Sequence, residues 1–276
     1  MAQDPRTHTE EIGQHPASGH DGSGAQGGAH STGYRSWEEL AIAQDEDAWR
    51  ARSRVFLTPI AAPSIMGLFG FMIATLMLGA WQAGWYGTAD TPLTIWPFAL
   101  VAGGILQSIA AVASFRARDG VAVAVHTAWG SFWIGWGILQ LLVATGVMLP
   151  IPLGTVNASF GIWFVALTLV TTMGMLGSLA QSVGLFAVLG SLSAGAALTA
   201  AGFFAGSLGT LRAGGWLFVI SAAAAWLVAG AMTLEHAYGR TIIPLGKWST
   251  AANVPGRSPT VPIAYPSGMP GVRVGQ

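Results

Sequence analysis

The groups able to do chemistry in this chain are few and lie far apart. Within its long apolar stretches, His126 is the side chain that titrates near neutral pH. Gln107 and Gln140 are the clearest carboxamides, and Thr127, Ser131, Thr171, Thr172, Ser191 and Ser193 supply hydroxyls. Glu235 and His236 close the last apolar run, and Arg240 and Lys247 follow within "LEHAYGRTIIPLGKW", residues 234–248. No nucleophile stands beside a base and no set of metal ligands is gathered in the apolar stretches, so neither an enzyme nor a metal or cofactor site is expected. The absence of cysteine excludes disulfides, thiolate metal sites and cysteine nucleophiles together. Hydroxyls, amides and an imidazole can hydrogen-bond a small solute along a neutral path. Gln107, Thr127 and Ser131 are the candidate path residues, with the Trp129 N–H as a further donor. His126 and Glu235 are the candidates for linking that path to a proton.

Hydropathy shows which elements must hold these groups. Charged residues are 9% of the chain and hydrophobic ones 52%, against about 25% charged in an ordinary soluble domain. A compact fold in water would expose too much apolar surface, so lipid is the expected solvent. Six runs reach the length of about 20 apolar residues that a spanning helix needs. They cover 64–86, 94–115, 121–148, 158–179, 183–207 and 214–235, separated by "YGTADTPLT", "FRARDG", "LPIPLGTVN", "SLAQSVG" and "GTLRAGG". The strand-like alternation of a β-barrel is absent. The expected fold is an all-α integral membrane protein, with six transmembrane helices over 60–247 and a disordered polar N-terminal tail.

That tail, residues 1–35, is rich in Gly, Ser, His and acids and has almost nothing to bury. His8, His15, His20 and His30 lie in it at irregular spacing, which favours a solvated tail over a metal-binding one. Residues 36–55 read as an amphipathic helix at the membrane surface, opened by a Ser36–Glu39 capping box, or else as a partly ordered linker. Residues 248–276 read as a flexible C-terminal tail. The formal net charge of zero gives no pull toward nucleic acid. Basic residues set the orientation. Arg50, Arg52, Arg54, Arg116, Arg118, Arg240, Lys247, Arg257 and Arg273 fall on one side of six spans, while the opposite loops carry Arg212. Both termini are therefore expected in the cytoplasm and the protein in the plasma (inner) membrane.

Two features mark the interior. Gly and Ala are dense along the spans, including a Gly202–Gly206 pair that suits tight packing within the chain or contact between protomers. The third span, "VHTAWGSFWIGWG", sets residues 126, 129, 130, 133 and 137 near one helical face. An aromatic face interrupted by glycine serves either as packing or as the wall of a narrow path.

With this context, "YGRTIIPLGKW" resembles the C-terminal signature of the acetate uptake transporter family, the succinate-acetate permeases. Gly239, Arg240, Pro244 and Gly246 stand at signature positions. Physically, Gly239 can stop a helix, Arg240 can complement its last carbonyls, and Pro244 keeps helix from resuming. "GLFGF", with Gly67 and Gly70, resembles the family's pattern in its first helix. "GGILQ" resembles that of the second and "TAWGSFW" that of the third, while "GSLAQSVGLFAVLGSL" resembles the crossing from the fourth helix to the fifth. The resemblance implies six-helix protomers, usually in a hexameric ring, each carrying acetate, another small monocarboxylate or succinate. The family's apolar constriction of Phe, Tyr and Leu falls on Phe71, Trp129 and Leu192. Trp in place of Tyr removes a hydroxyl and adds bulk. "IAAPSIMG" departs from the family's entry motif, and Ser114 stands where an acid is common.

The expected partners are thus a small carboxylate, the lipid bilayer and further copies of the chain. The expected activity is monocarboxylate transport, as a channel or proton symporter. A channel for a small neutral solute such as an alcohol or ammonia is an alternative on the same fold, and a non-transporting membrane scaffold or sensor is another.

Overall fold

The computed structural model describes residues 61–247. The predicted tail (1–35), surface helix (36–55) and C-terminal segment (248–276) lie outside the described residues. Six helices carry the described chain: α1 Pro63–Gln82, α2 Thr91–Ala117, α3 Gly120–Ala144, α4 Ala158–Ser178, α5 Val183–Ala205 and α6 Leu208–Tyr238. All six are long and apolar enough to span a bilayer, and the chain is a multi-pass membrane protein. Helices adjacent in sequence pack side by side, and α6 returns against α1, so the six close into a ring. Ser64 at the start of α1 and Lys247 beyond α6 line one cavity, so the described chain begins and ends on one side of the ring, called here the near end.

Local chemistry explains where the helices start. Asp119, Asn157, Ser182 and Ser207 each stand at an N-cap and accept from the backbone N–H three residues on. The Ser207 cap starts α6 at Leu208, six residues before the expected span. "GTLRAGG" therefore forms the first turns of the helix, because a capping serine outweighs the loop-like look of scattered glycines. Conversely α1 stops at Gln82 rather than 86. Gly84 turns left-handed (φ +77°), and the Trp81 indole N–H donates to Thr88 O at 2.7 Å, folding the link back on the helix.

The middle of α2 departs from a regular helix. Pro97 supplies no N–H to the ladder, and Ala99–Leu106 winds as a π-helix. Within this widened stretch Gly103 meets Ala74 and Trp133, while the Ala102 carbonyl presses on Gly70 of α1. Glycines bring other helices equally close. A Cβ on Gly215 of α6 would lie 2.8 Å from Gly79 O and from Gln82 C of α1. Gly202 faces Leu211 of α6, so this half of the GxxxG pair packs within the chain.

The surface is apolar and the interior carries the hydrogen bonds. Val112, Phe115, Ile162, Leu169 and Trp226 lie on the outer surface, whereas Gln107, His126, Thr171 and Thr199 are buried. One polar link ties each of several seams. Gln107 bonds His126 between α2 and α3, Trp129 bonds Thr171 between α3 and α4, and Thr172 bonds Ser193 between α4 and α5. The Ser221 hydroxyl of α6 donates to Val188 O of α5 at 2.8 Å. Gln82 Nε2 of α1 donates to Thr199 Oγ1 at 2.9 Å and to Leu211 O at 2.8 Å, joining three helices. Between helices in lipid, such links and close backbone approach supply what hydrophobic burial supplies in water.

A methyl group at Gly215 would press on α1 backbone atoms, which have no rotamer to escape by. Gly215→Ala should cost about 1–3 kcal/mol, read as a lower Tm of the detergent-purified protein by intrinsic fluorescence.

Candidate functional site

Two cavities open into the ring from opposite ends. The near-end cavity, about 160 Å³, is lined by Ser64, Asp119, His126, Gln181, Leu189 and Lys247 among others. The far-end cavity, about 60 Å³, is lined by Gln82, Asp90, Phe132, Trp136, Gln140 and Phe164 among others. Along α3, His126 borders the first and Phe132 the second, a separation of about 9 Å at 1.5 Å rise per residue. Phe71, Trp129 and Leu192 border neither cavity. They are 3%, 1% and 1% exposed and belong to one core cluster, so none of them faces lipid.

Aromatic edges close this middle segment. Trp129 meets Phe71 at 6.2 Å between ring centroids, Phe132 at 5.4 Å and Phe218 at 6.1 Å, all edge to face. Phe218 of α6 and Phe132 were not among the expected constriction residues. Their types and spacing resemble ordinary packing, and only the ring closure brings α6 across to α3. The Trp129 indole N–H donates to Thr171 Oγ1 at 2.9 Å, and that hydroxyl donates to Leu167 O at 2.6 Å. The indole donor expected to face a solute is therefore committed to α4.

The expected hydrophilic path residues separate into two groups. Thr127 and Ser131 are exposed on the outside of α3, and the Ser131 hydroxyl donates to Ala128 O at 2.8 Å. The buried face of α3 runs through Val125, His126, Trp129, Phe132, Trp133 and Trp136. Residues 127 and 131 sit one position beyond that face, so they do not line the interior. Gln107 is fully buried. Its Nε2 donates to Gly103 O at 2.9 Å, which turns Oε1 toward His126 Nδ1, 3.2 Å away. Oε1 only accepts, so the imidazole carries its hydrogen on Nδ1, and Nε2 is the basic nitrogen. The other edge of the ring lies over Gly67, where any Cβ would collide with it. That glycine of the first-helix motif makes room for the imidazole.

The residues after α6 fold back over the near-end cavity. Gly239 caps α6 in the left-handed region (φ +63°) and ends the helix, as its place in the motif suggests. The chain then runs antiparallel to the start of α5: Gly184 N–H donates to Leu245 O at 2.9 Å, and Val183 N–H donates to Gly246 O at 3.2 Å. These are N–H groups that a helix start leaves without intrahelical partners. Leu245 is buried, and with Val228 it covers Gly184. Lys247 donates to both Glu235 oxygens at 3.1 Å, so Glu235 is ion-paired at the cavity rim. Arg240 and Pro244 are exposed. The signature is thus more than a helix stop: it caps α5 and forms part of the cavity wall.

Comparison with known proteins matches this arrangement. A sequence profile described as the GPR1/FUN34/yaaH family matches residues 51–245. The succinate-acetate/proton symporter SatP of Escherichia coli K12 is 27% identical over 190 residues, which cover 69% of this chain and 97% of that one. An uncharacterized protein of Methanothermobacter thermautotrophicus is 27% identical over 189 residues, covering 67% and 90%. Among solved structures, the bacterial acetate channel SatP superposes with a TM-score of 0.61 at 26% identity, over 68% of this chain and 100% of that one.

Leu245→Ala should lower stability by about 2–3 kcal/mol, in the lower range for losing a buried leucine, and loosen the segment over the cavity. Because the chain is free of cysteine, a Leu189→Cys reporter in the cavity can be titrated with a maleimide. Labelling should speed up when Leu245→Ala is added.

Proposed function

Because this chain belongs to the GPR1/FUN34/yaaH family, we propose that it carries a small monocarboxylate, acetate-like and extending to succinate, across a plasma (inner) membrane. Both termini lie in the cytoplasm and the protomers assemble as an oligomeric ring, each protomer with its own path. One observation carries the reading: two cavities on opposite sides of a six-helix ring are separated by a short neck of aromatic rings. The names of the relatives, a succinate-acetate/proton symporter and an acetate channel, support the cargo.

The neck favours one protonation state of that cargo. An unpaired carboxylate costs several kcal/mol or more to place among rings, and the Trp129 N–H that could receive it is bonded to Thr171. Among the described residues no basic side chain lines the far-end cavity, whereas Asp90 does. A permeant that crosses as the neutral acid takes its proton with it and needs no charged relay in the neck. His126, hydrogen-bonded to Gln107 at the edge of the near-end cavity, is placed to take or give that proton. Glu235 is held by Lys247, and its part is to fix the cavity rim. The same donor-poor neck also suits a small neutral solute, the second reading.

The test is uptake by proteoliposomes of labelled acids of one to four carbons. At fixed total acetate, uptake should rise as external pH falls and be insensitive to an imposed membrane potential. Potential-driven uptake would show the anion crossing, and competition by a neutral alcohol but not by acetate would favour the second reading. Trp129→Ala should raise acetate flux and admit longer acids. If flux and selectivity are unchanged, Trp129 is not in the neck.

A further inference from the structure

Thr75 is a polar residue in the bundle that does not behave like its neighbours. The threonines in the interior of α4 and α5 return their hydroxyls to their own helix four residues back: Thr171 to Leu167 O, Thr199 to Gly195 O, and the half-buried Thr168 to Phe164 O. Thr75 is 2% exposed, yet its Oγ1 has no hydrogen-bond partner. Trp133 Nε1, on a side chain 1% exposed, also has none. These two are the unpartnered buried side-chain atoms among the described residues.

Both occupy the same stretch of the ring. Thr75 follows Phe71 by four residues and precedes Leu78 by three, so it shares the helical face that runs from the neck to the far-end cavity. Trp133 presents Cγ and Cδ1, the second of which is bonded to its N–H nitrogen, to the place where Gly103 of α2 and Ala74 of α1 meet. The residues that carry the two orphan groups therefore stand on α1 and α3 at one level of the ring, each one turn beyond the touching rings of Phe71 and Trp129. Neither borders a cavity, so the level they occupy is closed in this structure. Gly103 is essential to this arrangement, since any side chain there would push the Trp133 indole aside.

We propose that Thr75 and Trp133 form a carboxyl-binding subsite on the far side of the neck, occupied by the permeant as it passes. The proposal rests on the transport reading above and names the groups that recognise the cargo. An indole N–H is a pure donor, and a hydroxyl both donates and accepts. A carboxylic acid presents the matching pair, a carbonyl oxygen that accepts from the indole and an O–H that donates to Thr75 Oγ1. A hydrocarbon satisfies neither group, and an alcohol has to bridge both from a single oxygen, whereas a carboxylic acid answers each with a separate oxygen. This subsite gives the ring-lined neck a means of selecting an acid over other molecules of the same size. A site built to hydrogen-bond its cargo rejects an analogue lacking the group by leaving its own buried partners unpaired.

The experiment uses the full chain in proteoliposomes with labelled acetate, comparing wild type with Thr75→Val, Thr75→Ser and Trp133→Phe. Thr75→Val keeps the shape and removes the hydroxyl. It should raise the acetate KM about five- to tenfold, the size of one lost hydrogen bond, without lowering Tm. Thr75→Ser should restore the wild-type KM, and Trp133→Phe should raise KM in the same direction. Unchanged KM in Thr75→Val and Trp133→Phe would overturn the subsite while leaving transport intact. A lower Tm in Thr75→Val with unchanged KM would also overturn it, since the hydroxyl would then serve a resident partner such as a buried water. Wild-type protein without saturable acetate uptake would overturn the transport reading itself, and the subsite with it.

Discussion

Hydrocarbon offers nothing to hydrogen-bond, and that constraint shapes this molecule from its seams to its centre. A hydroxyl or carboxamide inside such a bundle is stable when another helix answers it. Gln82, Gln107, Trp129, Thr171, Ser193 and Ser221 are all answered in this way. The polar atoms a permeant would use are therefore mostly the ones that hold the wall together. A pathway built on this principle has a wall of fixed hydrogen bonds and a closed middle of rings. Its interior is selective through what it withholds as well as through what it presents.

The sequence disclosed the architecture far better than the lining. Length and hydropathy located six helices, since an apolar run of twenty residues has few other uses, and capping residues mark four of their starts. Phe71 and Trp129, assigned through family resemblance, meet edge to face within the core cluster that also holds Leu192. Thr127 and Ser131 do not join them. Residue type suggested a path, but the helical phase set by His126, Trp129 and Trp133 already turned them outward. Phe218 and Thr75 were invisible for another reason. A ring in an apolar run carries no mark of its partner, and an orphaned hydroxyl is recognisable only once every other hydroxyl has been paired. The π-helical turn of α2 was equally hidden, with Pro97 and the paired glycines its only trace.

Electrostatics separates the two ends of the ring. The near-end cavity gathers Asp119, His126 and Lys247, whereas the far-end cavity has Asp90 and carboxamides. Between them the cost of an unpaired charge is greatest, because rings replace water on every side. The family resemblance sets a tyrosine where this chain has Trp129. The indole N–H is turned to Thr171 and strengthens the α3–α4 seam. Trp129 thus commits its polar group to the wall.

The backbone pairing between residues 245–246 and the first turn of α5 also orders events in time. A ribosome delivers α5 to the translocon well before it has made Leu245 and Gly246. Until those carbonyls emerge, the N–H groups of Val183 and Gly184 must rely on headgroups or water at the membrane surface. The near-end cavity consequently lacks part of its wall until the segment that follows α6 arrives. Assembly of this bundle is thereby tied to the synthesis of the segment beyond its last helix.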